Sequence, residues 1–159
     1  MVSRVRILVF LLLVLLVLLG LYVYGSRQVV EKIEILQSRY DDYDPDILLQ
    51  KQPLVLVSGP LEAETVLRRI FPWSFWRVQE FKESMEDQDQ HLQYRGRFLL
   101  LGATEPTSLT IEHPTIETDI HILLKPGTWL ILPAKWWVVP TPALITYQID
   151  DIVTRVISI

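Results

Sequence analysis

The sequence predicts a mainly β protein: an N-terminal transmembrane helix and stalk, followed by an antiparallel β-sandwich with one short helix. Three observations carry this expectation. Residues 7–24, ILVFLLLVLLVLLGLYVY, are an apolar run without a charge. Residues 27–43 space their apolar side chains as a helix does. Beyond residue 53, short stretches rich in Val, Ile, Leu and Trp recur between prolines and glycines, which is how short strands joined by turns read. The expected organisation is a membrane anchor over 1–26, a helical stalk over 27–46 and one β-domain over 47–159, because the remainder of a 159-residue chain beyond the anchor fits a single domain of ordinary size.

The anchor comes first. At about 1.5 Å per residue its run covers roughly 27 Å, close to the roughly 30 Å of bilayer hydrocarbon. Backbone groups in hydrocarbon must pair within the segment, which a Leu-rich helix does unaided. Ile7, Leu13, Leu16 and Tyr24 mark the candidate span, with Tyr22 and Tyr24 where interfacial aromatics belong. A cleaved signal peptide is the competing reading, with Val23-Tyr24-Gly25 as a tolerable cleavage context, but the run exceeds the roughly 7–15 residues of a signal core. Arg4 and Arg6 favour a cytosolic amino end, while Arg27, Lys32 and Arg39 weigh on the other flank, so orientation stays open.

In the stalk, Val29, Ile33, Leu36 and Tyr40 form a helical stripe, and Asp41-Asp42-Tyr43-Asp44-Pro45 ends it. Asp42, Asp44 and Asp46 begin like a calcium loop. The pattern then fails, with Ile47 in place of the turn glycine and Pro53 in place of the bidentate glutamate, so the stretch reads as a solvated boundary.

Within the domain, residues 54–57 (LVLV) read as a strand closed by Ser58-Gly59-Pro60, and 61–71 as a short helix stopped by Pro72. Trp73, Phe75 and Trp76 alternate poorly and are candidate core or interface anchors. Residues 80–90 (EFKESMEDQDQ) read as an exposed acidic loop or short helix. Strands are then expected at 97–103, 108–112, 119–124, 128–132, 136–139 and 144–149, with a last one at 152–159.

Fifteen Lys and Arg stand against nineteen Asp and Glu, a net charge of −4, and since Arg4 and Arg6 precede the span, the part beyond it is two charges more acidic. That argues against nucleic acid and against a domain held on anionic lipid by charge. No cysteine is present, so thiolate metal sites and disulfides are excluded. There is no G-x-S-x-G elbow and no phosphate-cradling glycine loop, because the six glycines are scattered. No cofactor and no small-molecule substrate are expected.

The most specific stretch is residues 124–139, LKPGTWLILPAKWWVV, with Gly127 in a turn, five residues, Pro133, and the pair Trp136-Trp137. It resembles the strand-turn-strand signature of cupin and JmjC-like double-stranded β-helix proteins, and residues 54–59 with the helix after them look like the first strand of that family. The resemblance extends over 50–159 and is specific in sixteen residues. It implies a jelly-roll, cupin-like sandwich. The family's metal-binding histidine falls on Val138, and none of His91, His113 and His121 has a histidine or carboxylate two residues later, so the ligand set is missing. An anchored, metal-free domain of this kind looks similar to the membrane-tethered cupin-like proteins of large DNA virus virions. The implied role is structural and not enzymatic: a single-pass minor capsid or membrane protein in the virion internal membrane, with the lipid bilayer and capsid or other virion proteins as partners. The alternatives are a membrane-anchored cupin-type metalloenzyme and a cellular single-pass adaptor.

Overall fold

Leucine and valine side chains with no interior proline let residues Val2–Arg27 form one uninterrupted α-helix, α1. Its window Val5–Tyr24 spans 20 residues at a mean hydropathy of 3.1, and none of it is buried within the described protein. Ile7, Leu13, Leu16 and Tyr24 are all exposed. A helix apolar on every side has no polar face to turn to water, and this one is long and apolar enough to cross a membrane. The computed structural model describes residues 2–27, 33–72, 76–80, 96–115, 117, 119–139, 141 and 143–151. The chain divides into two compact units, Met1–Lys32 and Ile33–Ile159.

The second unit is built from sheets. Its strands are β1 (Leu36–Arg39), β2 (Leu54–Val57), β3 (Trp76–Glu80), β4 (Phe98–Ala103), β5 (Thr107–Glu112), β6 (Ile120–Leu124), β7 (Trp129–Pro133), β8 (Trp137–Val138) and β9 (Leu144–Asp151). They form a six-stranded sheet in the order β1-β2-β7-β4-β9-β3 and a three-stranded sheet in the order β6-β5-β8. A 3-10 helix occupies Pro45–Gln50 and a second α-helix, α2, occupies Ala63–Ile70.

The expected helical stalk is corrected by this arrangement. Within 27–46 the helix ends at Arg27 and Leu36–Arg39 is a strand, laid parallel to β2 with Leu36 opposite Leu54. The Leu36 N–H donates to Pro53 O at 2.8 Å and the Tyr40 N–H to Val57 O at 2.9 Å, so sheet bonds flank the stretch on both sides. A short apolar run fits either period, and here the sheet edge supplied backbone partners that an isolated helix would have had to find within itself. Val29, the first residue of the stripe, lies outside the described residues. The β1–β2 ladder also departs from an antiparallel plan, to which the other described ladders conform.

Asp44 Oδ1 accepts from the Asp46 N–H at 3.0 Å, so this aspartate caps the 3-10 helix that Pro45 opens. In α2, Val66 and Ile70 stand one turn apart and are both buried, and the helix stops before Pro72. β3 was not expected. It is an edge strand with Val78 exposed, and an edge with little to cover does not need strict alternation. The strand expected at 152–159 and most of the acidic stretch 80–90 lie outside the described residues.

β4 and β7 run through the centre of the large sheet and are buried along their whole length. Alternate residues therefore enter two different cores. Phe98, Leu100, Trp129 and Ile131 pack with Val66, Ile70 and Phe71 at the helix face. Leu99, Leu101, Leu130 and Leu132 pack with Leu109, Ile111, Leu124, Trp136 and Val138 against the small sheet. The antiparallel ladders are nested in the chain: β5 pairs with β6, β4 with β7 around them, and β3 with β9 outside both.

Candidate functional site

The signature stretch 124–139 becomes the turn before β7, β7 itself, and the turn into β8. Gly127 has φ +78°, a left-handed conformation that glycine adopts freely, and its carbonyl accepts the Gly59 N–H at 2.8 Å. Trp129 follows and is buried, with Nε1 donating to Pro60 O at 2.8 Å. A Cβ at Gly102 on β4 would overlap the six-membered ring of Trp129, so glycine there is a steric requirement. Pro133 closes β7 opposite Phe98, Trp136 is buried, and Trp137 pairs with Glu112 in β8. Sequence reasoning missed Trp129, which does more to organise this region than either member of the Trp136-Trp137 pair; its glycine partners are remote in sequence.

Val138 is 1% exposed and lies opposite Ile111. The buried hydrophobic side chains clustered with it are Leu99, Leu101, Ala103, Leu109, Ile111, Leu124, Leu130, Leu132 and Trp136. None of these carries a lone pair suited to a cation, and the indole of Trp136 can only donate. A metal of the kind the resembled family holds does not fit this set. Among the described residues no group of three or more His, Asp or Glu could hold a metal ion. His121 is exposed on β6 and its Nδ1 lies 3.0 Å from Thr110 Oγ1. His113 sits past the end of β5, 2.7 Å from Thr115 Oγ1 and with its ring centroid 5.0 Å from that of Trp136. Partial burial first, and then Lys135, hold its imidazole below the ordinary range. His91 lies outside the described residues.

Of the candidate interface aromatics, Trp73 and Phe75 lie outside the described residues. Trp76 opens β3 and turns to the domain's own rings, with centroids 5.3 Å from Phe71 and 5.9 Å from Phe98. The Arg97 guanidinium lies 5.6 Å from the Trp76 ring centroid and bonds the Asp151 carboxylate, whose side chain is fully buried. Trp76 is thus one wall of an aromatic box around a buried ion pair, where it contributes packing. Neither Arg97 nor Asp151 stood out in the sequence, because only the register that sets Trp76 opposite Asp151 brings them together.

Two lysines adopt left-handed backbone at the same end of the large sheet. Lys51, with φ 53°, caps the 3-10 helix before β2, and Lys135, with φ 77°, lies in the turn after β7. That region costs a residue with a Cβ about 1 kcal/mol. β2 and β7 are antiparallel neighbours, so the start of one and the finish of the other coincide. Burial, then Arg97 and Lys135, lower the Lys51 ammonium pKa below its usual range. Compared with known proteins, the chain matches no family model and no curated sequence.

Proposed function

We propose that the chain is a structural tether: a single-pass membrane protein whose β-domain is a cupin-like jelly roll without a catalytic centre, linking a virion's internal membrane to the capsid shell over it. The observation that supports the non-enzymatic part is the apolar cluster around Val138, the residue on which the resemblance would put the family's metal-binding histidine. The nested ladders support the jelly-roll part, because such a fold is one long antiparallel hairpin wound into two facing sheets. α1 supplies the anchor, and the virion setting rests on the resemblance of residues 124–139.

Crosslinking in the native assembly tests the tether. Lys125, exposed in the turn before β7, is a handle at the end of the sheet away from Ile33. A crosslink from Lys125 to a coat protein is the expected result; recovery of the chain with host membranes alone would assign it to a cellular adaptor. Stoichiometric iron, zinc or manganese in the purified chain would overturn the structural reading in favour of a metalloenzyme. Leu13→Arg with Leu16→Arg, each costing about 3 kcal/mol at a span centre, should release a folded domain from membranes, and normal incorporation of that variant would show the anchor to be dispensable.

A further inference from the structure

We infer that residues 33–39, at the head of the β-domain, are a stowed spacer: a strip that peels from the edge of the large sheet as far as Tyr40 and lengthens the tether while both cores stay closed. The inference rests on the proposed membrane anchor and adds to it a reserve of length. The chain is continuous, so a pull on α1 enters the domain through these residues first.

Burial sets the limits of the strip. No side chain from Ile33 to Arg39 is buried; Ile35 is 42% exposed, and only the half-buried Ile33 and Leu36 pack against the cores. Tyr40, 8% exposed, is the first buried residue of the domain. β1 stands at the end of the sheet order, so its departure breaks the ladder to β2 and no other described one. That ladder is parallel and four residues long, and parallel pairing is slightly weaker per residue than antiparallel. An edge strand with so little buried surface belongs to the part of a domain that opens locally, well below the free energy of global unfolding. Its backbone groups, once freed, bond to water instead.

The far end is fastened. The Tyr40 N–H donates to Val57 O at 2.9 Å and its hydroxyl to Thr65 O at 3.2 Å. The Arg69 guanidinium lies 4.9 Å from the centroid of the Tyr40 ring and donates to Asp41 O at 2.7 Å. Thr65 and Arg69 both belong to α2, whose Val66 and Ile70 share a core with Tyr40, so opening beyond Tyr40 must unpack that helix. Peeling therefore has a fixed stop. The seven residues ahead of it, at about 3.4 Å each when extended, add up to about 24 Å to the tether. A structural link with such a reserve spans gaps of unequal width without unfolding.

The test is amide hydrogen exchange of the full chain in phosphatidylcholine vesicles, read residue by residue. The Leu36 N–H should exchange at least about tenfold faster than that of Tyr40 and that of Leu100 in the middle of β4. Arg69→Met, at an exposed position, should speed exchange at Tyr40 several-fold and leave Leu36 unchanged. Because the chain has no cysteine, Gln37→Cys with Val55→Cys, opposite each other in the β1–β2 ladder, makes a single disulfide, and neighbouring strands about 4.8 Å apart suit its geometry. That disulfide should slow Leu36 to the rate of Leu100, and its reduction should restore the difference. Exchange at Leu36 as slow as at Leu100 in the unaltered chain, or at Tyr40 as fast as at Leu36, would overturn this inference; resistance of the same chain to alkaline carbonate would leave the anchor reading intact. Extraction by carbonate would overturn both.

Discussion

Leu99, Leu101, Leu130 and Leu132 point from β4 and β7 into a layer of aliphatic side chains, whereas Phe98, Leu100, Trp129 and Ile131, one residue along on the same strands, point into a layer of rings tied down by polar groups. On the second face the Trp129 indole bonds Pro60 O, the Tyr40 hydroxyl donates to Thr65 O at 3.2 Å, and Arg97 pairs with Asp151. Among the described buried residues, the first face is made of nine aliphatic side chains and the indole of Trp136. One side of the sheet therefore supplies non-directional stability and the other supplies register, since directional bonds are lost by a one-residue slip while aliphatic contact is remade.

The largest expected effect breaks the aliphatic face. Leu132→Asp places a carboxylate among leucines with no partner, and its cost, about 4 kcal/mol or more, should abolish cooperative unfolding of the full chain in detergent as followed by near-ultraviolet circular dichroism. A well-folded Leu132→Asp variant would mean that the layer is wet, and the contrast between the faces would collapse. Next, Asp151→Asn removes the buried carboxylate that the Arg97 guanidinium bonds and should cost about 3 kcal/mol in a urea titration. The double variant Arg97→Met with Asp151→Leu should recover most of that loss, because it removes both charges together. Trp129→Phe deletes one indole bond and some ring area, for about 1–2 kcal/mol, measurable by the same titration.

The smallest effect concerns pH. His113 has a folded-state pKa below its ordinary 6.5, so the unfolded chain binds that proton more readily. Its contribution to stability is complete above the ordinary value and is lost as pH falls through 6.5 towards the lowered one. His113→Gln should flatten that part of the stability-versus-pH curve, by little, since the ring is partly solvated. An unchanged curve would remove the ring of His113 from the account of this edge.

Much of the β-domain was legible because its punctuation is local. Ser58-Gly59-Pro60, Lys125-Pro126-Gly127 and Thr104-Glu105-Pro106 each fall at a strand end, and the strands between them carry Val, Ile and Leu in short runs. What was illegible depends on partners distant in sequence. Leu36–Arg39 reads as helix until β2 lies beside it, and Trp76–Glu80 reads as irregular until β9 does. That Val138 offers no metal ligand was visible in the sequence, yet the apolar company it keeps was not, because Leu99, Ile111 and Leu132 join its cluster from three strands. The proximity of Lys51 to Lys135 escaped for a related reason: the two come together only through the β2–β7 ladder.

The nested ladders have a kinetic consequence. Thr110 and His121, across the innermost pair, are 11 residues apart, whereas Arg97 and Asp151 are 54 apart and Pro60 and Trp129 are 69 apart. Each wider pair must close a longer loop before its contacts repay the lost chain entropy, so the β5–β6 hairpin is the natural nucleus and the ladders close outward from it. Substitutions at Leu109 should then slow folding, while those at Ile149 should chiefly speed unfolding. During synthesis α1 emerges before every described strand and Asp151 last among the strand residues described, so the domain completes its outermost ladder only once α1 has left the ribosome.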